Sequence, residues 1–344
     1  IGGSDLGPRM VYSALSNYLD GPQIHFVANI DPQDLENTIK PLSQESTLFI
    51  ISSKSFNTTE TLENAITARE WLLEVMTEKN LANHMIAVSS NIKKAVEFGV
   101  DPDNILPMWD WVGGRYSIWS SIGIPIAIAF GNSIFEELLS GAYSIDKHFC
   151  ESPFEENLPV LLGLLELWYI QGCNASSIGV LPYSHDLRLL PDYLQQLIME
   201  SNGKGVNAEG KTLDHRTCAT LWGSQGTIGQ HSFHQLLHQG TEYIPIDFIL
   251  PLKSYSKNKL KQAHLVSNCL AQSKALTEGK NIDQAKKELL ELNKSEKEAN
   301  ELAPHKVIPG NRPNTIIGMD KLTPNNLGSL IALYEHKVFV QSVL

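Results

Sequence analysis

The sequence has no long hydrophobic run and few cysteines. No apolar stretch approaches the ~18 residues of a membrane-spanning helix, and the longest, 122–130, contains Pro125 and is better explained as core. The four cysteines are widely spaced with no Cys-x-x-Cys pair, which argues against both a disulfide framework and a zinc site. No segment resembles a secretory signal. We therefore expect reduced thiols and a cytoplasmic protein without membrane contact.

Positive charge is also scarce. The sequence contains 27 Lys and Arg residues and 38 Asp and Glu residues, which gives a net charge of −11 at pH 7. Nucleic-acid-binding proteins rely on clustered Lys and Arg to neutralise phosphates, so this class is disfavoured. Any anionic substrate must then be bound by local donors rather than by a globally positive surface.

What the sequence does contain is an alternation of short apolar runs and amphipathic stretches, over a length that suits about two domains. This pattern predicts an α/β fold with two domains, each a mainly parallel sheet flanked by helices. We place the first domain at 1–131, a helical connection at 132–174 and the second domain at 175–344. Strands are predicted at 24–28, 47–52, 84–89, 104–107, 177–181, 220–222 and 246–250. Helices are predicted at 8–19, 58–76, 91–98 and 187–199, with a charged, solvated helix at 283–302.

Both ends of the sequence are unusual. Ile1 runs directly into two glycines, as if a strand ended there, and the last residues, 338–344, are apolar and uncapped. We interpret the chain as an internal part of a longer polypeptide in which the first strand of the first domain is truncated.

The most informative segment is Val-Gly-Gly-Arg-Tyr-Ser at 112–117, between Trp111 and Trp119. Adjacent glycines allow a backbone to approach a ligand closely. The planar guanidinium of Arg115 suits a phosphate, a carboxylate or a developing oxyanion. The alternative is an ordinary turn with a surface arginine.

Two further turns have the composition of an anion site. Segment 2–8 is glycine-rich and follows a presumed strand end, so that its backbone N–H groups can face an anion. Segment 51–61 passes from an apolar strand to a predicted helix and carries hydroxyls and an ammonium that suit a phosphate, at Ser53, Lys54, Ser55 and Thr58. The alternatives are a plain turn at 2–8 and a simple helix cap at Thr58. Two such turns in one sheet exceed what capping requires.

Glu200 follows three apolar residues at a predicted helix exit. Burial there would make its carboxylate basic enough to remove a carbon-bound proton. The alternative is an exposed glutamate near a helix end.

Three histidines, His231, His234 and His238, fall roughly on one helical face, so zinc has to be considered. No fourth ligand at a suitable spacing is evident, and we predict no metal. His238, near a helix end, suits proton transfer. For the other two we prefer structural hydrogen bonding.

Together these segments resemble the glucose-6-phosphate isomerase (phosphoglucose isomerase) family. The similarity runs in the family's order over nearly the entire chain. The matching motifs are Gly-Gly-Ser-Asp-Leu-Gly-Pro at 2–8, Ser-Lys-Ser-Phe at 53–56, Val-Gly-Gly-Arg-Tyr-Ser at 112–117, Met-Glu-Ser-Asn-Gly-Lys at 199–204, Leu-His-Gln-Gly-Thr at 237–241, Gly-Asn-Arg-Pro at 310–313 and Leu-Thr-Pro at 322–324. The resemblance implies two sugar-isomerase (SIS) domains and the interconversion of glucose 6-phosphate and fructose 6-phosphate in glycolysis and gluconeogenesis, without metal or organic cofactor.

The resemblance also implies roles for single residues. Glu200 would shuttle a proton between C2 and C1 through a cis-enediolate, and Arg115 would stabilise that anion. His238 would assist ring opening in the partner subunit of a homodimer. Phosphate and sugar contacts are expected from Ser4, Ser53, Lys54, Ser55, Thr58, Gly114 and Gln196. A further family motif, whose lysine joins the ring-opening step, has no match here.

Two other protein classes share such a sugar-phosphate site. A phosphosugar-sensing SIS module would not need Glu200 with His238 and usually accompanies a basic DNA-binding domain, which the acidic composition disfavours. The isomerase half of glucosamine-6-phosphate synthase would require an N-terminal cysteine glutaminase and lacks the Val-Gly-Gly-Arg and Glu-Ser-Asn-Gly-Lys blocks.

Overall fold

The computed structural model describes residues 1–343, and the chain divides into two compact units, Ile1–Leu139 and Ser140–Leu344. Each unit contains one parallel β-sheet flanked by helices, so the predicted α/β architecture is confirmed. The strands are β1 Phe49–Ser52, β2 Met85–Ser89, β3 Ile105–Pro107, β4 Ser177–Pro182, β5 Thr220–Gly223, β6 Ile246–Lys253 and β7 Asn314–Lys321.

Fifteen α-helices lie among the described residues. Those of the first unit are α1 Leu6–Ala14, α2 Pro32–Ile39, α3 Thr59–Leu73, α4 Glu78–Leu81, α5 Ile92–Phe98 and α6 Ile124–Phe130. Helix α7, Asn132–Glu151, begins in the first unit and continues into the second. The remaining helices are α8 Leu158–Leu167, α9 Leu190–Gln195, α10 Gly226–Gly229, α11 His234–Gln239, α12 Lys259–Glu278, α13 Ile282–Glu291, α14 Glu296–Leu302 and α15 Pro324–Val343. Within residues 1–343, no helix has the length and apolar character needed to cross a bilayer.

The sheet of the first unit has the order β1-β2-β3, with all neighbours parallel. Its strands coincide with three of the four predicted apolar runs. Ile51 and Ala87 on adjacent strands are completely buried, together with Ala65 and Leu72 of α3. The apolar face of α3 therefore covers the sheet, and the polar strand ends remain available for a site.

The predicted strand at 24–28 is wrong, because this segment belongs to neither sheet and has no regular secondary structure. The Gly2 amide donates to the Val27 carbonyl oxygen at 3.1 Å, and the Ser52 amide donates to the Ile1 carbonyl oxygen at 2.8 Å. Residues 1 and 2 thus bridge the segment to β1, and so few hydrogen bonds do not make a ladder. A cavity of about 430 Å³ is lined by both the segment and β1.

The sheet of the second unit has the order β5-β4-β6-β7 and is also parallel throughout. Five of the six residues of β4 are buried, as expected for a central strand covered on both faces. Strand β7 was not predicted. Its residues alternate between exposed and half-buried positions at the sheet edge, so it lacks the apolar run that identified the other strands.

The predicted single helix at 283–302 is two helices, α13 and α14. Asn293 adopts a left-handed conformation (φ 61°), which ends the first helix. Ser295 and Glu298 then form a reciprocal capping box that starts the second. Ala285 and Ala299 are fully buried against each other's helices, so this pair is only partly solvated.

Candidate active site

In the first unit, the turn that follows Ile1 packs against the end of β1. A Cβ atom added to Gly2 would lie 2.3 Å from the carbonyl oxygen of Ser52, so only glycine allows this approach. Helix α1 begins at Leu6, directly after the turn, and its first N–H groups add positive potential at this place.

Ser4 and Gly114, both predicted substrate contacts, lie against each other. A Cβ atom on Gly114 would be 2.8 Å from the Ser4 hydroxyl oxygen, so the missing side chain leaves room for that hydroxyl. Gly114 begins a 3-10 turn that extends to Trp119, and the Ser117 hydroxyl donates to the Gly114 carbonyl oxygen at 2.6 Å. The Gly-Gly-Arg segment is therefore a fixed turn next to the turn in segment 2–8.

Lys54 connects the same segment to the end of β1. Its ammonium donates to the carbonyl oxygens of Asp110 and Val112, the latter at 3.3 Å. The hydroxyls of Ser89 and Ser90 donate to the Lys54 carbonyl oxygen at 3.0 and 2.7 Å, which fixes the backbone of this turn to the end of β2. Three predicted anion-binding turns thus meet at the carboxyl edge of one parallel sheet.

Two hydroxyls of the 53–58 turn, those of Ser53 and Thr58, lack the hydrogen bonds expected of purely structural residues. Ser53 is 5% exposed, and its Oγ has no hydrogen-bond partner among residues 1–343. Thr58 occupies the N-cap position of α3, as the capping alternative expects, but its side chain makes no capping hydrogen bond. An unpaired buried hydroxyl is unfavourable, whereas donors at a helix N-terminus suit an anionic ligand.

Arg115 is half-buried, and its guanidinium carbon lies 5.5 Å from the centroid of the Tyr116 ring. Such a cation–π contact orients the guanidinium plane without neutralising its charge. Trp109 and Trp111 stack at 5.7 Å just before this turn and are exposed.

In the second unit, residues Gln196–Glu200 form a π-helical turn that extends α9. Glu200 is the last residue of that turn, and it is exposed, so the burial expected for it is wrong. The Lys204 ammonium donates to the Glu200 carbonyl oxygen at 2.8 Å. A π-helical turn has i→i+5 instead of i→i+4 backbone hydrogen bonds and is therefore wider than an α-helical turn. Such turns are frequent at functional sites.

The three histidines do not share one helix. His231 is exposed in the turn between α10 and α11, while His234 and His238 lie on α11 with ring centroids 5.9 Å apart. Burial lowers the pKa of His234. The Nε2 atom of His238 lies 2.6 Å from the side-chain oxygen of Gln272. Across the described part of the chain, no three metal-ligating side chains form a cluster.

Comparison with known proteins identifies the family of the chain. A family model described as "Phosphoglucose isomerase" matches residues 1–344. The chain belongs to the phosphoglucose isomerase family. Glucose-6-phosphate isomerases of Hahella chejuensis and Francisella philomiragia are 53% and 54% identical to it and match all of the chain.

The phosphoglucose isomerase fold is matched as well. The crystal structure of a glucose-6-phosphate isomerase from Chlamydia trachomatis superposes with a TM-score of 0.85 at 33% identity, over 99% of this chain and 63% of that one. A hypothetical protein of Thermus thermophilus shares the fold, with a TM-score of 0.76 at 21% identity, over 100% of this chain and 77% of that one. The chain spans only 62% and 64% of the length of the Hahella and Francisella relatives.

Two features of this phosphoglucose isomerase family member lie beyond the predicted residues. Phe56, inside the Ser-Lys-Ser-Phe motif, is buried with a left-handed backbone (φ 48°), a strained conformation that is frequent at ligand sites. A buried cluster of charged and amide side chains also lies beside the π-helical turn. The backbone of Phe56 has no local sequence signal, and the signal for the cluster is a single charged residue, Glu166, within an apolar helix.

Proposed function

We propose that the protein containing this chain interconverts glucose 6-phosphate and fructose 6-phosphate. The observation that carries the proposal is the convergence of the turns at Ser4, Lys54 and Gly114, with the unpartnered Ser53 hydroxyl among them. Family membership over all 344 residues supports the same substrate class. Ser53, Lys54, Ser55 and Thr58 bind the phosphate, and Ser4, Gly114 and Gln196 contact the sugar.

In this mechanism the Glu200 carboxylate takes the C2 proton of the open-chain aldose. The C–H electrons form the C1–C2 double bond, and the negative charge moves to O1 as a cis-enediolate. The O2 hydroxyl proton then passes to O1, Glu200 returns the carbon-bound proton to C1, and O2 becomes the ketone oxygen. Arg115 favours the step because a guanidinium binds the developing oxyanion better than the neutral carbonyl. Glu200 is exposed, so the bound sugar itself must exclude water from the carboxylate.

The test is turnover of fructose 6-phosphate by the full-length protein, run in D₂O so that deuterium incorporation reports the enediolate. Glu200→Gln should lower kcat by about 10²–10⁴-fold, the usual contribution of a general base. Its affinity for fructose 6-phosphate should remain, since the phosphate contacts are unaltered. Glu291→Gln, an exposed glutamate on α13, is the matched control. No turnover by the parent refutes the function, and a fully active Glu200→Gln refutes the base.

We further propose a cytoplasmic homodimer in which His238 of one subunit assists ring opening in the site of the other. The family resemblance supports this role. Mixing Glu200→Gln subunits with His238→Ala subunits should restore about a quarter of the parental activity, because half of the dimers carry one intact site. Sites built within single subunits would give no restoration, and a fully active monomer in light scattering would contradict the dimer.

The two α/β units support a proposal for the domains as well. We infer that 1–131 and 175–344 are the two sugar-isomerase domains, joined by the helical connection at 132–174. Limited proteolysis between α7 and α8, near residue 153, should leave two fragments that each retain their sheet. Rapid degradation of either fragment after this cut would contradict the assignment.

A further inference from the structure

The π-helical turn that carries Glu200 is attached to helix α15 by a buried line of hydrogen bonds. The Asn202 side-chain amide donates to the side-chain oxygen of Gln341 at 2.9 Å. The Gln341 amide in turn donates to the Glu166 carboxylate at 3.0 Å. All three side chains are more than nine-tenths buried.

The line ends in a buried ion pair. The Lys337 ammonium donates to the other oxygen of Glu166 and lies 3.6 Å from the Asp247 carboxylate. The Tyr334 hydroxyl donates to Asp247 at 2.9 Å. Lys337 is 2% exposed.

The protonation states of this cluster follow from its geometry. Burial lowers the pKa of Lys337, but Glu166 and Asp247 outweigh it and leave that pKa above its ordinary value. Burial raises the pKa of Asp247, against the opposing effect of the ammonium. Burial and the Asp247 charge also raise the pKa of Tyr334, so its hydroxyl stays a neutral donor. At neutral pH, therefore, a permanent ammonium anchors Glu166.

Stability is a poor explanation for such a cluster, because desolvation offsets much of the attraction in a buried ion pair. What a buried ion pair can fix is one particular arrangement. Lys337 and Gln341 are four residues apart on α15 and so project from the same face. That helix also packs against the π-helical turn, and Tyr193 of α9 donates to Glu335 at 3.4 Å.

We propose that Gln341 is a positioning residue for the turn that presents Glu200, oriented by the Lys337–Glu166 ion pair and acting through Asn202. The Gln341 amide can donate to Glu166 only if its oxygen faces Asn202, so the charge at one end sets the hydrogen-bond direction at the other. Asn202 is two residues beyond Glu200, and its position sets how the π-helical turn ends. The catalytic consequence rests on the proposed function; the structural consequence does not.

The test compares two buried, uncharged substitutions. Gln341→Met removes both amide hydrogen bonds with little change in shape, while Tyr334→Phe removes one hydrogen bond at the far end of the same cluster. Hydrogen exchange of the full-length protein, followed on the peptide covering 196–204, should be about tenfold faster in Gln341→Met and unchanged in Tyr334→Phe. Equal exchange in both variants, or no change in Gln341→Met, overturns the proposal.

Kinetics give the second readout. Gln341→Met should lower kcat about tenfold and leave KM within about twofold, because small misplacement of a base affects the chemical step more than binding. Tyr334→Phe should retain kcat. If Gln341→Met does not fold, Asn202→Leu removes the last bond of the line and should give the same pattern. Should the parent lack isomerase activity, the proposed function fails, and the exchange comparison still decides the positioning role.

A conservative replacement of Gln341 allows a rescue experiment, in which a change of pH restores kcat. Gln341→Glu faces Glu166 with a like charge, next to Lys337, Asp247 and the Tyr334 hydroxyl, until it is protonated. Protonated, it can donate to Glu166 and accept from Asn202 as the amide does. Burial and the Glu166 charge raise the pKa of the introduced carboxyl, so the ratio of variant to parental kcat should rise as the pH falls from about 8 to about 5. A ratio that is flat or falls over this range contradicts the line of hydrogen bonds.

Discussion

The Lys54 ammonium donates to the carbonyl oxygen of Val112 at 3.3 Å, which joins two turns that lie 58 residues apart in the sequence. The same ammonium also donates to Asp110. Both acceptors are neutral carbonyls, whereas a phosphate oxygen is a stronger, charged acceptor for an ammonium. The contact therefore holds the Lys54 ammonium beside the Gly-Gly-Arg turn, and a phosphoryl group can replace the carbonyl oxygens as its hydrogen-bond acceptor.

Replacement of Lys54 by methionine should weaken phosphosugar binding. A hydrogen bond to a charged group contributes about 1.5–3 kcal/mol, which corresponds to an increase in Kd of roughly ten- to hundredfold. Calorimetric titration with fructose 6-phosphate measures the effect, and free fructose serves as the ligand control. Lys93→Met, at an exposed position on α5, should bind as the parent does. A loss of the same size in both variants would remove Lys54 from the phosphate site.

Arg115 should matter more for turnover than for binding. Loss of a preorganised oxyanion donor costs about 10²–10³-fold in kcat, and Arg115→Ala should show this with only a small change in KM. Arg115→Lys should recover part of the rate, because it restores the charge without the planar fork. Steady-state kinetics in both directions measure these values. An effect confined to KM would make Arg115 a phosphate ligand instead.

The regular part of the fold was predictable where the signal is local. Strands β1 to β6 each contain an apolar run, and the sheets follow from it. The segment 24–28 has an equally apolar composition but lacks an adjacent strand to pair with, which no local pattern reveals. Strand β7 was missed for the opposite reason, since its pairing with β6 is extensive although its residues alternate in exposure.

The candidate site also has a part that the sequence predicts and a part that it does not. Gly114, Ser53 and Lys54 belong to short turns whose composition indicates an anion site, and the structure brings these turns together within the first unit. The line from Lys337 to Asn202 joins residues on three separate segments, which only folding brings together. One signal was present, since Glu166 is the single charged residue of the apolar helix α8. A lone acid of that kind requires a partner.

Close packing of α7 on α15 gives a prediction on stability. A Cβ atom on Gly141 would lie 1.8 Å from the carbonyl oxygen of Asn325, and the Ser329 hydroxyl donates to the Gly141 carbonyl oxygen at 2.9 Å. Gly141→Ala must therefore separate two backbones and should lower the free energy of unfolding by about 1–3 kcal/mol or more. Urea denaturation measures it. Gly318→Ala, where a Cβ meets open space, is the control and should have little effect.

Cysteine reactivity reports on the buried cluster without any assay of function. Burial, reinforced by the nearby Glu166 charge, raises the pKa of Cys218 to about 11, and burial raises the pKa of Cys269 to about 12. At pH 8 only about 10⁻³ of Cys218 would be thiolate, the reactive form. Cys150 is exposed and should be alkylated first by iodoacetamide, as mass spectrometry of the labelled peptides can show.

The order in which the cysteines are alkylated should disappear in denaturant, because all four thiols then approach the same pKa. Replacement of Glu166 by glutamine removes one of the two causes that raise the Cys218 pKa, so it should speed alkylation of Cys218 and leave Cys269 unchanged. Faster labelling of both thiols would indicate general loosening of the second unit. Slow labelling of Cys218 in that variant would mean that burial alone sets its reactivity and that the Glu166 charge does not reach it.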